Sequence, residues 1–343
     1  MSGRRPTLAD VAREAGLSVP TIDRVLNGRA PVRAETARRV EVAATALGYH
    51  AAGLMAQRVA ALRPERRLGF LLQRRGSEFY RTLAAELGRA VRAPQHGRHT
   101  PVIEHVEDLT PASVADRLLR MGERCDALAV VAADHPKVNA AVERLAAADR
   151  PVYALLSDLG TEARSGYFGI DHRKAGRTAA WAMARLVRAG GDVAVMMGNH
   201  RYLGHELCEM SFRAYLREHA SSLRLHEPIA SFEDRRFAYE ATLDLLRRNS
   251  GLSGIYVPGG GVEGVIEALR ERSAPAKIAV VAMDLFTETR EGLIEGLLDV
   301  VLATPVAAVA DALVRAMLGR LDNDGTAAQS ASLPFSILVS ENL

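Results

Sequence analysis

The 343-residue chain is predicted to be an α/β protein. A three-helix helix-turn-helix domain at the N-terminus is followed by a two-lobed, doubly wound body built on parallel sheets. Three observations predict this. Residues 7–49 carry three short stretches of helical apolar periodicity separated by glycine turns. From residue 67 onward, short apolar runs alternate with helical patterns, the signature of βαβ units. Those alternations fall into two series, one for each lobe. With 48% hydrophobic residues, the chain has enough apolar surface to bury a small domain and a large body.

Leu8, Val11, Ala12 and Ala15 recur at i, i+3, i+4, i+7 and give a first helix one apolar face. Gly16 follows, where a helix C-terminus favours a residue that tolerates positive φ. Ser18 is a candidate N-cap for a second helix, and Pro20 is accepted in its first turn. Ile22, Val25 and Leu26 supply its buried stripe before Gly28 ends it. Val40, Ala43, Ala44 and Leu47 form the stripe of a third helix, stopped at Gly48. The second helix leaves Val19, Pro20, Thr21, Asp23, Arg24 and Asn27 facing outward. Such a helix presents its N-terminal residues to base edges in the major groove.

Charge agrees with this reading. Residues 1–66 hold eleven arginines against six carboxylates, while the whole chain is +3, so the remainder carries a slight negative balance. The positive charge is concentrated where phosphate neutralisation would use it. A generic three-helix bundle with solvated arginines is the alternative, and it explains fewer of these signals together.

The string T-L-x-D-V-A-x-x-A-G-L-S-x-x-T-I-x-R-V-L-N, followed by V-R-x-E-T-x-x-R-V and A-x-x-L-G-Y, runs over about 43 residues without a gap. It resembles the DNA-binding domain of the lac repressor (LacI/GalR) family. The resemblance implies a homodimer on a near-palindromic double-stranded operator. It places Val19, Pro20 and Arg24 at base-reading positions, and Thr7, Ser18, Thr21, Asn27, Arg33 and Thr36 at phosphate-anchoring ones. Arg24 stands out because its planar fork can pair with guanine O6 and N7. Asp23 departs from the family, which usually carries serine there beside a phosphate. A carboxylate repels phosphate, so Asp23 is expected to orient Arg24 or to accept from a cytosine amine.

The resemblance also gives the domain limits: residues 1–50 as the DNA-binding domain, 51–66 as a hinge, and 67–343 as the effector-binding and dimerisation body. In the family the hinge often wedges a leucine into the minor groove, which kinks DNA. Leu54, Val59 and Leu62 are the candidate wedges. Ala51 and Ala52 stand where Pro and Asn are common, so a plain amphipathic linker remains the other reading.

In the body, the apolar runs 67–72, 101–106, 127–133, 151–157 and 167–171 read as strands, with helices at 79–91, 111–121 and 136–147 between them. A second series places helices at 172–189, 205–219 and 262–272 and strands at 192–198, 254–259 and 277–284. Residues 300–318 read as strand then helix, 322–332 as a polar loop, and LPFSILVSEN as a closing strand. Ligands of such sheets bind beyond the carboxyl ends of the strands, in the cleft between lobes.

The order of these elements, D-H-R-x-x-G-R-x-A-A from Asp171, and the closing strand resemble a periplasmic-binding-protein-like, sugar-binding domain. That resemblance implies a small polar effector, a sugar or sugar derivative. It implies Phe79 and Tyr80 against a pyranose face, and Asp171 and Asp284 accepting from sugar hydroxyls. Arg201 lies in the loop after the sixth strand with His200 and His205. Cys208 stands where relatives commonly carry a ligand-gripping arginine, and Arg201 is the candidate substitute. Each has a second reading: Phe79 as core, Asp171 as a helix cap, which is compatible with binding, and the basic loop residues as solvated.

Other function classes fit less well. Two cysteines, Cys125 and Cys208, make no disulfide framework and suit a reducing cytoplasm. There is no secretory apolar segment at the N-terminus and no membrane-length apolar run. Gly259, Gly261 and Gly264 spell G-x-G-x-x-G before a helix, with Asp284 twenty residues on. This is the pattern of an NAD-dependent oxidoreductase, but it sits late in the chain. A pure solute-binding protein would not need the basic N-terminal domain. His205-Glu206-x-x-Glu209 lacks the second histidine of a zinc protease helix, and His96, His99 and His105 read as solvated loop residues. The expected protein is therefore a cytoplasmic, homodimeric, DNA-binding repressor. It is not an enzyme, and it has no catalytic residues, cofactor, metal or membrane partner.

Overall fold

Thr7 opens the first helix, α1 (Leu8–Ala15), with a reciprocal cap. Its hydroxyl accepts from the Asp10 N–H, and the Asp10 carboxylate accepts from the Thr7 N–H at 2.9 Å, satisfying two of the donors a helix N-terminus leaves open. Gly16 ends α1 at φ 61. Arg39 of α3 (Ala34–Ala46) donates to the Ala15 carbonyl at 2.6 Å, putting a cation at the negative end of the α1 dipole. With α2 (Val19–Asn27) between them, these helices bury Val11, Ala12, Ile22, Val25, Val40 and Ala44 in one cluster. Tyr49 and Met55 complete it. Residues 52–55 are helical, and Met55 is fully buried. The segment expected to begin the hinge thus starts as part of this core.

The structure is a computed structural model. It describes residues 5–27, 32, 34–55, 64–199, 201–271, 277–322 and 330–343. Gly28, Arg33, Val59, Leu62 and His200 of the sequence reading lie outside the described residues. The chain divides into two units, residues 1–68 with 88–102 and residues 69–87 with 103–343.

Among the described residues the strands form two sheets. One has the order β12-β5-β4-β3-β1-β2. Its strands are β1 (Arg66–Gln73), β2 (His99–Val106), β3 (Ala127–Val130), β4 (Val152–Leu155), β5 (Gly166–Ile170) and β12 (Ala331–Leu333). The other has the order β13-β11-β10-β9-β6-β7, with β8 also paired to β6. It is built from β6 (Asp192–Met197), β7 (Arg224–Leu225), β8 (Ile229–Ala230), β9 (Leu252–Val257), β10 (Ala279–Met283), β11 (Val300–Ala303) and β13 (Ser336–Leu338). Pairing is parallel from β3 through β5 to β12, and from β6 through β9 and β10 to β11. At the far edge β11 pairs antiparallel with β13.

The helices, in order, are α4 (Glu78–Val91), α5 (Pro111–Gly122), α6 (Pro136–Ala147), α7 (His172–Leu186), α8 (Leu203–His219), α9 (Arg235–Arg248), α10 (Val262–Arg270), α11 (Thr287–Ile294) and α12 (Val306–Leu321). Parallel strands covered on both faces are apolar without interruption, and β10 is buried along its whole length. Its Val281 and Met283 join a core with α7 and α8, while Val280 and Ala282 join a second core with α9, α10 and α11. That alternation is the doubly wound arrangement. The chain crosses between lobes after β5, after β11 and between β12 and β13. The Tyr153 hydroxyl of β4 donates to the Ala316 carbonyl at 3.2 Å, fixing α12 to the first lobe.

Several elements differ from the sequence reading. α9 and α11 were not expected. Each has a thin apolar face, with Ala238, Thr242 and Leu245 buried in α9 and Thr289, Gly292 and Leu293 in α11. The polar stretch 322–332 was expected to be a loop throughout, but residues 331–333 form β12, in parallel register with β5. The expectation of solvated loop histidines is corrected. His99 opens β2 and is buried with His96. Its Nδ1 accepts from the Arg66 N–H at 3.2 Å, and its Nε2 donates to the His96 carbonyl at 2.7 Å. His105 lies on the same strand.

Two helix pairs approach too closely for any side chain. A Cβ on Gly176 of α7 would overlap the Cys208 carbonyl of α8, and one on Gly264 of α10 would overlap the Arg235 carbonyl of α9. Backbone cannot swing aside as a side chain does. Gly176→Ala and Gly264→Ala should therefore each lower the unfolding free energy by about 1–3 kcal/mol. Urea titration checks this, and unchanged midpoints would contradict the close approach.

Candidate functional site

The outward side of α2 carries the expected DNA-reading residues. Ser18, Val19, Pro20, Arg24 and Asn27 are exposed, with Thr21 and Asp23 half-buried. The structure thus brings Val19, Pro20 and Arg24 to one surface. Arg24 Nε donates to the Pro20 carbonyl at 3.3 Å, one turn back. The Ser18 and Thr21 hydroxyls pair at 2.9 Å. Asp23 was expected to orient Arg24 or to read a cytosine. In the structure Asn27 Nδ2 donates to Asp23 Oδ1 at 2.5 Å, so the carboxylate fastens the amide one turn along. The Thr7 hydroxyl donates to the Asp10 carboxylate at 2.7 Å as part of the α1 cap. Thr36 lies half-buried in the first turn of α3. Thr7 and Thr36 therefore stand at helix N-termini, where backbone N–H groups and the helix dipole favour an anion such as phosphate. Leu54 is 47% exposed.

In the second unit, the carboxyl ends of the strands meet around a cavity of about 100 Å³. The first lobe supplies Gln73, Ser77, Phe79, Tyr80 and Ser157. The second supplies Tyr202, His205, Glu233, Glu263, Asp284 and Phe286, and His172 comes from the crossing. The cavity adjoins an outer opening of about 810 Å³ that includes Arg74, Glu78, Glu107 and Glu288. Hydrogen bonds join the lobes across it. Gln73 Nε2 donates to the Tyr202 hydroxyl at 2.7 Å, and the Gly204 N–H to Ser157 Oγ at 3.2 Å. The Thr287 hydroxyl donates to Glu78 at 2.9 Å. Arg74 donates to the Glu233 carbonyl at 2.8 Å and lies 3.5 Å from the Asp234 carboxylate. The lobes are closed on one another.

Backbone strain gathers at this cavity. Leu156, Glu233 and Asp284 take φ of 63, 57 and 64, a left-handed conformation that costs a non-glycine residue about 1–3 kcal/mol and tends to mark binding sites. Burial also shifts the ionisable groups. Desolvation pushes the Asp284 carboxyl up to about 6, with Thr304 hydrogen bonds pulling the other way, and pushes Glu233 up to about 7. Glu263 rises for the same reason. Desolvation lowers His172 and His205 to about 4, so both imidazoles are neutral at pH 7. Glu233 Oε1 and His205 Nδ1 are buried without a hydrogen-bond partner and stand 3.7 Å apart. Buried polar atoms are rarely left so in a folded protein.

Of the effector residues read from the sequence, Phe79, Tyr80 and Asp284 line the cavity, as does His205. The other three stand elsewhere. Asp171 caps α7, accepting from the Arg173 and Lys174 N–H groups at 3.0 Å, which is its second reading. Arg201 is exposed, and its carbonyl accepts from the Asp134 N–H at 2.7 Å. The placement of Cys208 is corrected. It is fully buried in the core between α7 and α8, its thiol donates to the His172 carbonyl at 3.4 Å, and burial pushes it up to about 12.

Sequence reasoning missed Gln73, Tyr202, Glu233 and Glu263. Gln73 ends β1, a position that the strand-end rule could have supplied. Glu233 precedes a helix whose pattern was too weak to see. The glycine fingerprint has a packing cause. A Cβ on Gly259 would overlap the His205 ring, and one on Gly260 would overlap the Glu233 carboxylate. Among the described residues, no group of three or more His, Cys, Asp or Glu is placed to hold a metal ion. Among those residues too, no helix is long and apolar enough to cross a membrane.

Residues 7–51 match the family described as bacterial regulatory proteins, lacI family, and residues 68–325 match the periplasmic binding protein domain family. No curated protein matches the chain in sequence. Among solved structures it is similar to an ABC transporter solute-binding protein from Burkholderia graminis in complex with D-arabinose. That match has 16% identity over 81% of this chain and 96% of the other, with a TM-score of 0.74. It is also similar to GanP, a glucose-galactose binding protein from Geobacillus stearothermophilus (15%, 82% and 99%, TM-score 0.74). A third is a solute-binding protein from Agrobacterium vitis bound with α-D-tagatopyranose (18%, 81% and 95%, TM-score 0.73). At these identities the likeness shows the fold. With an N-terminal helix-turn-helix of the lacI type joined to a periplasmic-binding-protein fold, the chain belongs to the lac repressor (LacI/GalR) family of DNA-binding transcriptional regulators.

Proposed function

We propose that the protein is a cytoplasmic, homodimeric repressor whose operator affinity is set by a sugar-like effector held in the interlobe cavity. The observation that carries the effector half is the cavity itself, a space between the lobes whose wall combines aromatic rings with buried carboxylates. Flat rings suit the apolar faces of a pyranose, and carboxylates accept from its hydroxyls. Arabinose- and tagatose-bound proteins of the same fold support that class of ligand. On the DNA side, one helix-turn-helix reads one half-site, so a palindromic operator calls for two copies. Val19, Pro20 and Arg24 are assigned to base edges, and Thr7, Ser18, Thr21, Asn27, Arg33 and Thr36 to phosphates. Effector binding would favour one lobe arrangement, and the hinge, with Leu54, Val59 or Leu62 as its wedge, would relay it to the DNA-binding heads. The coupling is the difference in effector affinity between the two arrangements.

The non-enzymatic reading has support of its own. The turn that resembles a dinucleotide fingerprint is filled by His205 and Glu233, and Gly264 is closed off by α9. A pyrophosphate needs that approach to the backbone. The Cys208 thiol is shut in the core and held protonated, the opposite of a nucleophile.

Arg24→Ala should abolish sequence preference, costing about 1–3 kcal/mol on the selected operator, while binding to random DNA falls much less. Equal losses on both in a fluorescence-anisotropy titration would contradict a base-reading role. For the cavity, a thermal-shift screen of neutral and charged sugars, polyols and sugar phosphates should find at least one that raises the melting temperature. Phe79→Ala should remove that shift, because ligand stabilisation follows occupancy of the folded state. No stabilisation by any of them would count against an effector cleft.

A further inference from the structure

Glu233, Glu263 and Asp284 reach the cavity from three separate segments of the second lobe, and no arginine or lysine lines it with them. Arg74 stands at the outer rim, where it bonds the Glu233 carbonyl, faces Asp234 and pulls the Glu233 carboxyl down less than desolvation pushes it up. The two lining imidazoles are neutral at pH 7. Three carboxylates thus close into a desolvated space with no cation in its wall, Arg74 and Arg235 acting on Glu233 and Glu263 only from outside it and less than desolvation does, although buried carboxylates ordinarily need a cationic partner or several donors. Each carboxylate has one backbone donor, the Thr304 N–H at 3.2 Å for Asp284, the Gly260 N–H for Glu233 and its own N–H for Glu263, which is less than a buried anion needs. Glu233 Oε1 has no partner. A neutral polyol would leave the charge of these carboxylates, when they are ionised, without a cation. A ligand bearing an ammonium group would offset it, supply the donor that Glu233 lacks, and lie against aromatic faces that attract cations.

We propose that the effector is cationic, an amine-bearing sugar or polyol of amino-sugar type, with its ammonium held by Asp284, Glu233 and Glu263 and its ring packed against Phe79 and Tyr80. This rests on the effector-cleft reading above. The outer opening is mixed in charge but acidic in balance, its carboxylates, Glu78, Glu107 and Glu288 among them, outnumbering Arg74, Arg81, Arg235 and Arg236, which favours entry of a cation.

The test is isothermal titration of the full chain with D-glucosamine, D-galactosamine and D-mannosamine, each beside its parent hexose and its N-acetyl form. At least one amino sugar should bind about tenfold or more tightly than both neutral counterparts. Glu263→Gln and Asp284→Asn should each erase that preference, with circular dichroism confirming that the variants fold. A neutral hexose or N-acetyl sugar binding as tightly as its amine would overturn the cationic assignment and leave the effector cleft standing. Failure of every sugar, neutral and charged, would overturn both. Retention of the amine preference in both variants would overturn the role of these carboxylates.

Discussion

Closing two lobes over a cleft takes carboxylates out of water, and the behaviour of this body depends on how that cost is met. An isolated carboxylate moved into a low-dielectric interior is penalised by several kcal/mol. The protein responds by raising the carboxyl pKa of Asp284 and Glu233 toward neutrality and by ringing the cavity with interlobe hydrogen bonds from Gln73, Arg74 and Thr287. What those bonds do not satisfy, a ligand can. The closed arrangement is therefore stabilised by whatever neutralises the cavity, which gives a small molecule a differential affinity for one lobe geometry. That difference is the physical requirement for an effector-controlled regulator.

The local devices fit this division of labour. The small N-terminal domain is fixed by a reciprocal cap at Thr7, an arginine on the α1 carbonyls and a core closed by Met55. Such a unit presents α2 as a rigid surface. In the body, glycines at 176 and 264 let helices meet backbone to backbone, and glycines at 259 and 260 make room for His205 and Glu233. A pattern that reads as nucleotide chemistry in the sequence is thus a packing solution in the fold.

Much of the architecture was legible in the sequence because parallel strands buried on both faces leave unbroken apolar runs. The strand cores of β1, β6, β9, β10 and β11 were visible that way. The helices α9 and α11 were not, because each buries only a thin stripe. Glu233 sits just ahead of α9, so its place in the cavity was lost with the helix. Phe79, Tyr80 and Asp284 were found because strand ends predict a cleft wall. Asp171 and Arg201 were reached by the same strand-end reasoning, and Cys208 by resemblance alone. The structure gives their polar atoms to a helix cap, to the surface and to the core, since neither a strand end nor a likeness to relatives says where a local rotamer or turn directs a side chain. On α2, periodicity separated the buried Ile22 and Val25 from the exposed Arg24, but it could not show Asp23 turning to Asn27.

The most direct test of a sequence-specific regulator is selection of genomic DNA fragments by the purified protein at two salt concentrations. The account predicts enrichment of a palindromic site whose binding weakens steeply with salt, as phosphate neutralisation requires. Recovery of fragments without any shared sequence, at both salt concentrations, would contradict it.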